Sequence, residues 1–259
     1  MMDMLVQQAL EVLQSVAPVA ARMMDLLVQL ALAVVPTVIA ITLHEAAHGY
    51  AALALGDTTA RDAGRLSLNP IRHIDRVGTI IVPGILLLSQ LLIAGRILFM
   101  FGWAKPVPVS PWVFRDPRRG MAIVAVAGPV MNFFLAWIAA LLLHLATVGM
   151  TGAAQPLFVQ FLLYFMLSNL VLGLFNLLPI PPLDGGRIAV GLLPLELAKL
   201  WARLERAGIA LVLLVVFLMP HLTGYDPVGE ALDSILPWAF RTILWLAGHA
   251  VGGGHGYGL

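Results

Sequence analysis

Apolar residues along this chain come in long unbroken runs, without the alternation of a half-buried strand or the one-sided stripe of a soluble helix. Residues 26–43 hold no charge, and the run continues through His44 and Glu45 to about Leu55. Residues 121–150 have only His144 as a titratable group, and residues 156–183 are uncharged throughout. A bilayer-crossing helix needs about 20 mostly apolar residues, so each of these runs predicts a span. Two shorter runs, 207–219 and 232–247, the second interrupted by Arg241, predict a final hairpin. The pattern is that of an all-α integral membrane protein, a polytopic bundle of about five to six transmembrane helices.

Two segments read differently. Residues 1–22 interleave Asp3, Gln7, Gln8, Glu11 and Gln14 with apolar residues at helical spacing, which predicts an interfacial amphipathic helix. Residues 79–101 are apolar enough to span but carry Pro83, Gly84, Gly95 and Arg96. Basic residues near span ends favour the cytoplasmic side. They cluster in three stretches: Arg61 to Arg76, Lys105 to Arg119, and Arg187 to Arg206. All three face the cytoplasm only if 79–101 enters and leaves on one side, so a re-entrant hairpin broken near its glycines is expected, with a full span as the alternative. The expected organisation is an amphipathic segment at 1–24, a membrane-embedded core at 25–190, C-terminal transmembrane helices at 191–250 and a flexible Gly-rich tail at 251–259.

Composition sharpens this picture. Of the 259 residues, 60% are hydrophobic and 11% charged, against roughly 25% charged in soluble domains. The net charge of +1 gives no broad field for nucleic acid, so none is expected as a partner. The chain has no cysteine, which excludes disulfides, thiolate metal sites, iron–sulfur clusters and a cysteine nucleophile.

Chemistry enters at the end of the first apolar run, where His44-Glu45-Ala46-Ala47-His48 forms an HExxH motif. Residues four apart share one helix face, so both imidazoles can bind one Zn²⁺, with Glu45 beside them as general base. Ionisable groups inside a membrane helix are costly and mark function. A catalytic zinc needs a third protein ligand, yet residues 49–56 hold no His, Asp or Glu. The distant candidates are His144, Asp184, His221 and Asp226. Asp184 stands out: Pro179, Pro181 and Pro182 break the preceding helix, and irregular backbone at membrane depth is tolerated where it lines a polar cavity. Gly185 and Gly186 then let the chain turn sharply. His73 sits in a polar loop and reads as a loop residue or a neighbour of the site.

An HExxH in a membrane helix, a downstream Leu183-Asp184-Gly185, and Ala127-Gly128-Pro129-Val130-Met131-Asn132 between them resemble the site-2 proteases, the intramembrane zinc metalloproteases. Gly56-Asp57, Leu68-Asn69-Pro70, and Phe101-Gly102-Trp103-Ala104-Lys105-Pro106 resemble the compact bacterial branch, without a PDZ domain. The resemblance covers about residues 40–187. It implies one zinc per chain bound by His44, His48 and Asp184, with Glu45 as catalytic base. It also implies substrate contacts at Asn176 and Pro179, and a place for Asn132 facing the site. Partners so implied are the lipid bilayer and single-pass membrane proteins or remnant signal peptides, cut within or near their transmembrane segments. The implied location is the bacterial plasma membrane, multi-pass, with the active site towards the cytoplasm. Residues 79–101 and 103–113 are the candidate substrate gate, with membrane anchoring by Trp103 and Trp112 as the alternative. Two other functions compete: a metal-ion transporter, which needs polar residues through both leaflets, and a non-catalytic scaffold, which would carry a damaged motif.

Overall fold

The computed structural model describes residues 2–94, 102–149, 152 and 154–249, and among them every regular element is helical. The helices are α1 (Met2–Ala54), α2 (Thr59–Asp62), α3 (Val82–Ala94), α4 (Pro117–Gly149), α5 (Ala154–Asn176), α6 (Asp184–Leu192), α7 (Leu195–Leu204), α8 (Gly208–Leu213), α9 (Met219–Thr223) and α10 (Pro227–Leu246). Four runs among the described residues are long and apolar enough to cross a membrane: Arg22–Ala54, Pro117–Thr147, Gln155–Asn176 and Leu195–Thr223. The shortest has 22 residues and rises about 33 Å, close to the hydrocarbon thickness of about 30 Å. The amphipathic segment continues directly into the first span, because α1 is unbroken. The last long run starts at Leu195, earlier than its apolar stretch, and passes through a π-helical turn at Leu214–Leu218. α10 has 20 residues but carries Glu230, Asp233 and Arg241, charges that are costly at bilayer depth.

The bundle is held by close helix approach. Ala136, Ala139, Ala140, Leu143 and Ala146 line one face of α4, and Leu162, Met166 and Leu170 of α5 pack against it. Ala239 and Ile243 of α10 close the same cluster. Apolar association gains little in lipid, so small residues that admit close packing take over. The alanine stripe serves that purpose.

The apolar run ending at Leu183 is helical only to Asn176. Pro179, Pro181 and Pro182 supply no N–H to continue the ladder. The chain resumes as α6 at Asp184, with Asp184, Gly185 and Gly186 all buried in its first turn. A Cβ at Gly185 would collide with the Leu177 and Leu178 carbonyls, so only glycine permits this turn.

The 79–101 segment leaves and returns at one place. The Trp103 N–H donates to the Gly78 carbonyl at 3.1 Å, and the Thr79 hydroxyl to the Trp103 carbonyl at 2.9 Å. Glycine at 78 is required, since a Cβ there would strike the Trp103 ring. The outward limb is the π-helical turn Arg76–Ile81 followed by α3. The expected break near Gly95, like the tail at 251–259, lies outside the described residues. The basic stretches also meet at one end of the bundle. Arg65 donates to the Lys105 carbonyl at 2.6 Å, and Arg118 reaches the Leu193 carbonyl at 2.6 Å.

From Trp103 to Ser110 the chain forms an extended strap across the end of α1. Its near end is held by Lys105 N–H to the His73 carbonyl, 2.9 Å. Its far end is held by Asp57, only 1% exposed, whose carboxylate accepts from Ser110 N–H at 2.6 Å and from Thr59 N–H at 2.9 Å. The Thr59 hydroxyl donates to the same carboxylate at 2.5 Å. Burial alone would push the Asp57 carboxyl up, but these donors outweigh it and hold it below the usual carboxylate range.

Asp57→Asn therefore sets an amide N–H₂ against one of these donors, and should cost about 1–3 kcal/mol of stability. Thermal unfolding of the purified protein in detergent checks this, and an unchanged Tm contradicts it. In the parent, the contribution is complete above the ordinary carboxylate pKa of about 4 and is lost only as pH falls through the lower folded value. The variant should accordingly lose less stability on acidification.

Candidate active site

The last turns of the α1 span place His44 and His48 on one face, at 4% and 9% exposure. Asp184, at 6%, faces them from the first turn of α6. Nε2 of His44 lies 3.1 Å from Asp184 Oδ2, Nε2 of His48 lies 3.2 Å from the same oxygen, and the two Nε2 atoms are 3.1 Å apart. Three ligating atoms from distant parts of the chain thus form a buried triangle.

What lies behind each ring decides its protonation. His44 Nδ1 is 2.5 Å from Asn132 Oδ1, and His48 Nδ1 is 2.7 Å from the Val124 carbonyl oxygen. Carbonyl oxygens only accept, so both Nδ1 atoms carry the proton and donate. In the neutral rings both Nε2 atoms are then bare lone pairs, aimed at each other and at a carboxylate oxygen. Charging both rings would set two N–H groups head to head at 3.1 Å. Two imidazole nitrogens and a carboxylate oxygen that converge in this way fit a cation. Their spacing also fits zinc, for which bonds of about 2.0–2.1 Å give a tetrahedral edge of about 3.3–3.4 Å. Among the described residues these are the one group of three that can hold a metal ion.

The sequence around the triangle makes room for it. A Cβ at Gly128 would lie 2.5 Å from the His44 ring and 2.6 Å from that of His48, so α4 approaches both imidazoles only through a glycine. Pro129 follows inside α4 and gives no N–H to the Ala125 carbonyl, loosening the ladder beside Val124. Glu45 turns towards the strap, where its Oε2 accepts from the Val107 N–H at 3.2 Å. Pro106 and Pro108 flank Val107 and have no N–H of their own, so the strap meets Glu45 through a single donor.

The other expected positions sort by place. Asn132 is fully buried behind His44. Asn176 bonds the Leu172 carbonyl of its own helix at 3.0 Å, and Pro179 is exposed in the turn leading to Asp184. Of the alternative third ligands, His144 stacks edge-on against His249 at 5.1 Å, and Asp226 caps α10 by accepting from Gly229 N–H at 2.8 Å. His73 donates from Nε2 to the Ser67 carbonyl at 2.8 Å and carries the strap through its own carbonyl. The backing groups Val124 and Asn169, and the Val107 donor, were not expected. Asn169 had a signal, being an amide in the middle of an apolar span, though Gln160 and Asn176 share that run. Backbone donors and acceptors leave no mark in side-chain pattern.

Residues 142–219, which include Asp184, match Peptidase family M50. YwhC of Bacillus subtilis, provisionally named a zinc metalloprotease, is 42% identical over 204 residues, covering 77% of this chain and 86% of the relative. Rip2 of Mycobacterium tuberculosis, named in the same way, is 31% identical over 212 residues, covering 81% of this chain and 70% of the relative. Rip2 of Mycolicibacterium smegmatis is 28% identical over 213 residues, with 80% and 70% covered. No solved structure matches the chain. Similarity of this extent and a helical membrane bundle agree with the buried His–His–Asp triangle, and the chain belongs to peptidase family M50, the site-2 protease family of zinc metalloendopeptidases.

Proposed function

We propose that this chain is an intramembrane protease that binds one zinc through His44, His48 and Asp184 and hydrolyses peptide bonds within or near transmembrane segments of other membrane proteins. One observation carries the reading: three metal-ligating atoms, two imidazole nitrogens and a carboxylate oxygen 3.1–3.2 Å apart, sit buried at the end of a membrane span beside a glutamate. Zinc, when bound there, supplies a Lewis acid that polarises a carbonyl and makes water acidic enough to react near neutral pH.

The chain's own groups do the rest. Glu45 is the general base: its carboxylate takes a proton from the attacking water and delivers it to the leaving amine. To do so it releases the Val107 N–H, so the strap shifts when substrate arrives. Val107 and Val109 then offer an extended edge to a substrate unwound from its helix, in the manner of strand addition. Asn132 orients His44, while Asn176 and Pro179 flank the approach to Asp184. Substrates with helix-weakening Gly or Pro near the cut should be preferred, because intrahelical bonds otherwise hide the scissile carbonyl. Candidate substrates are single-pass membrane proteins and remnant signal peptides. Since the basic stretches meet at the strap end, the site faces the cytoplasm of a bacterial plasma membrane by the positive-inside rule.

Metal analysis of detergent-purified protein tests the ligand set. About one zinc per chain is expected in the parent, with most lost in Asp184→Ala; full retention in the variant would remove Asp184 from the site. Glu45→Gln should keep its zinc yet cleave a transmembrane substrate about 10²–10⁴-fold more slowly. Parent-like cleavage by that variant would rule out Glu45 as the base. Gly128→Ala places a methyl against both rings and should lower zinc content in a protein that still folds. Parent-like content there would contradict the close α4 approach.

A further inference from the structure

The two imidazoles are backed in different ways. His48 donates to a backbone carbonyl, which cannot turn around. His44 donates to a side-chain amide, which can. An Asn132 flipped by half a turn would present N–H₂ to Nδ1, driving the ring proton onto Nε2 and into the triangle. The packing does not forbid this flip, because the two ends of an amide have nearly the same shape.

A second amide forbids it. Asn132 Nδ2 donates to Asn169 Oδ1 at 2.9 Å, and Asn169 Nδ2 donates to the Phe165 carbonyl at 2.8 Å. The Phe165 oxygen only accepts, so it fixes the Asn169 amide. Asn169 then shows oxygen to Asn132, and Asn132 shows oxygen to His44. Both asparagines are 0% exposed, so water does not offer either amide another partner. Buried networks of this kind hold one orientation only when every member is satisfied.

We propose that Asn169 is a positioning residue for the metal centre, which sets the tautomer of His44 through Asn132 without touching the site itself. This rests on the reading that His44 binds zinc. Outer-shell partners of a metal-binding histidine typically alter metal affinity by about 10–100-fold. Asn169→Leu keeps the branched outline of the side chain and removes the acceptor, so zinc should leave about 10–100-fold faster into a competing chelator. Asn169→Ala asks the same question if leucine is not accommodated. Asn169→Asp, protonated at this buried position, would donate its hydroxyl to the Phe165 carbonyl and keep an oxygen for Asn132, and should release zinc at close to the parental rate.

A double-mutant cycle separates positioning from packing. In Asn132→Asp, the carboxylate offers His44 an oxygen whichever way it turns, while its second oxygen faces Asn169 Oδ1, an acceptor pair that Asn169→Leu removes. Adding Asn169→Leu to that background should therefore not accelerate zinc release by more than about three-fold. The measurements are zinc release rates and the Tm of the chelator-treated chain, in full-length protein in detergent. Faster release that is suppressed by Asn132→Asp supports the relay. Unchanged release in Asn169→Leu, or an equal acceleration in both backgrounds, overturns it. His44→Ala is run alongside: retention of zinc there overturns the His44 assignment itself, whereas its loss leaves the relay to be judged on the cycle.

Discussion

Everything at this site depends on which nitrogen of each imidazole carries the proton. When both neutral rings hold their protons on the outer nitrogens, two imidazole lone pairs and a carboxylate oxygen face one another across about 3 Å, the arrangement a cation stabilises. The Val124 carbonyl and the Asn132 amide draw both protons to the outer edges. Under the proposed ligand set, zinc would sit among these three acceptors. If the proposed relay holds, the metal affinity is a property of α4 and α5 as much as of α1 and α6.

The surrounding sequence serves that geometry. Gly128 brings α4 against both rings, and the alanine stripe on the same helix draws α5 close enough for Asn132 and Asn169 to meet. Three prolines end α5, and Gly185 lets Asp184 turn back into the bundle. The strap is fastened independently of the triangle, by Asp57 at one end and by the His73 carbonyl at the other. Its Val107 contact with Glu45 is thus separate from the contacts that hold the ligands.

Much of this was legible in the sequence. His44, Glu45 and His48 announce themselves because charge in an apolar run has few structural excuses. Asp184 stood out among four distant candidates by the prolines before it and was implied as a ligand by the family resemblance, and the triangle includes it. The apolar runs located three spans well, but periodicity could not show that α5 stops at Asn176, or that the final long run begins among the charges after Leu195. Proline chemistry decides the first, and the second reflects long basic side chains that reach water from a helix end. The return of residues 79–101 to its starting point was expected from the placement of arginines, and the Gly78–Trp103 bond agrees with it. What the sequence hid were the carbonyl partners, since backbone atoms are the same at every residue.

The central claim is that His44, His48 and Asp184 together bind one metal through two imidazole nitrogens and a carboxylate oxygen. X-ray absorption at the zinc edge of the detergent-purified chain reads this directly. The account predicts a four-coordinate zinc with two imidazole nitrogens and two oxygens at about 2.0–2.2 Å. A third imidazole, or a shell of six oxygens, would contradict it.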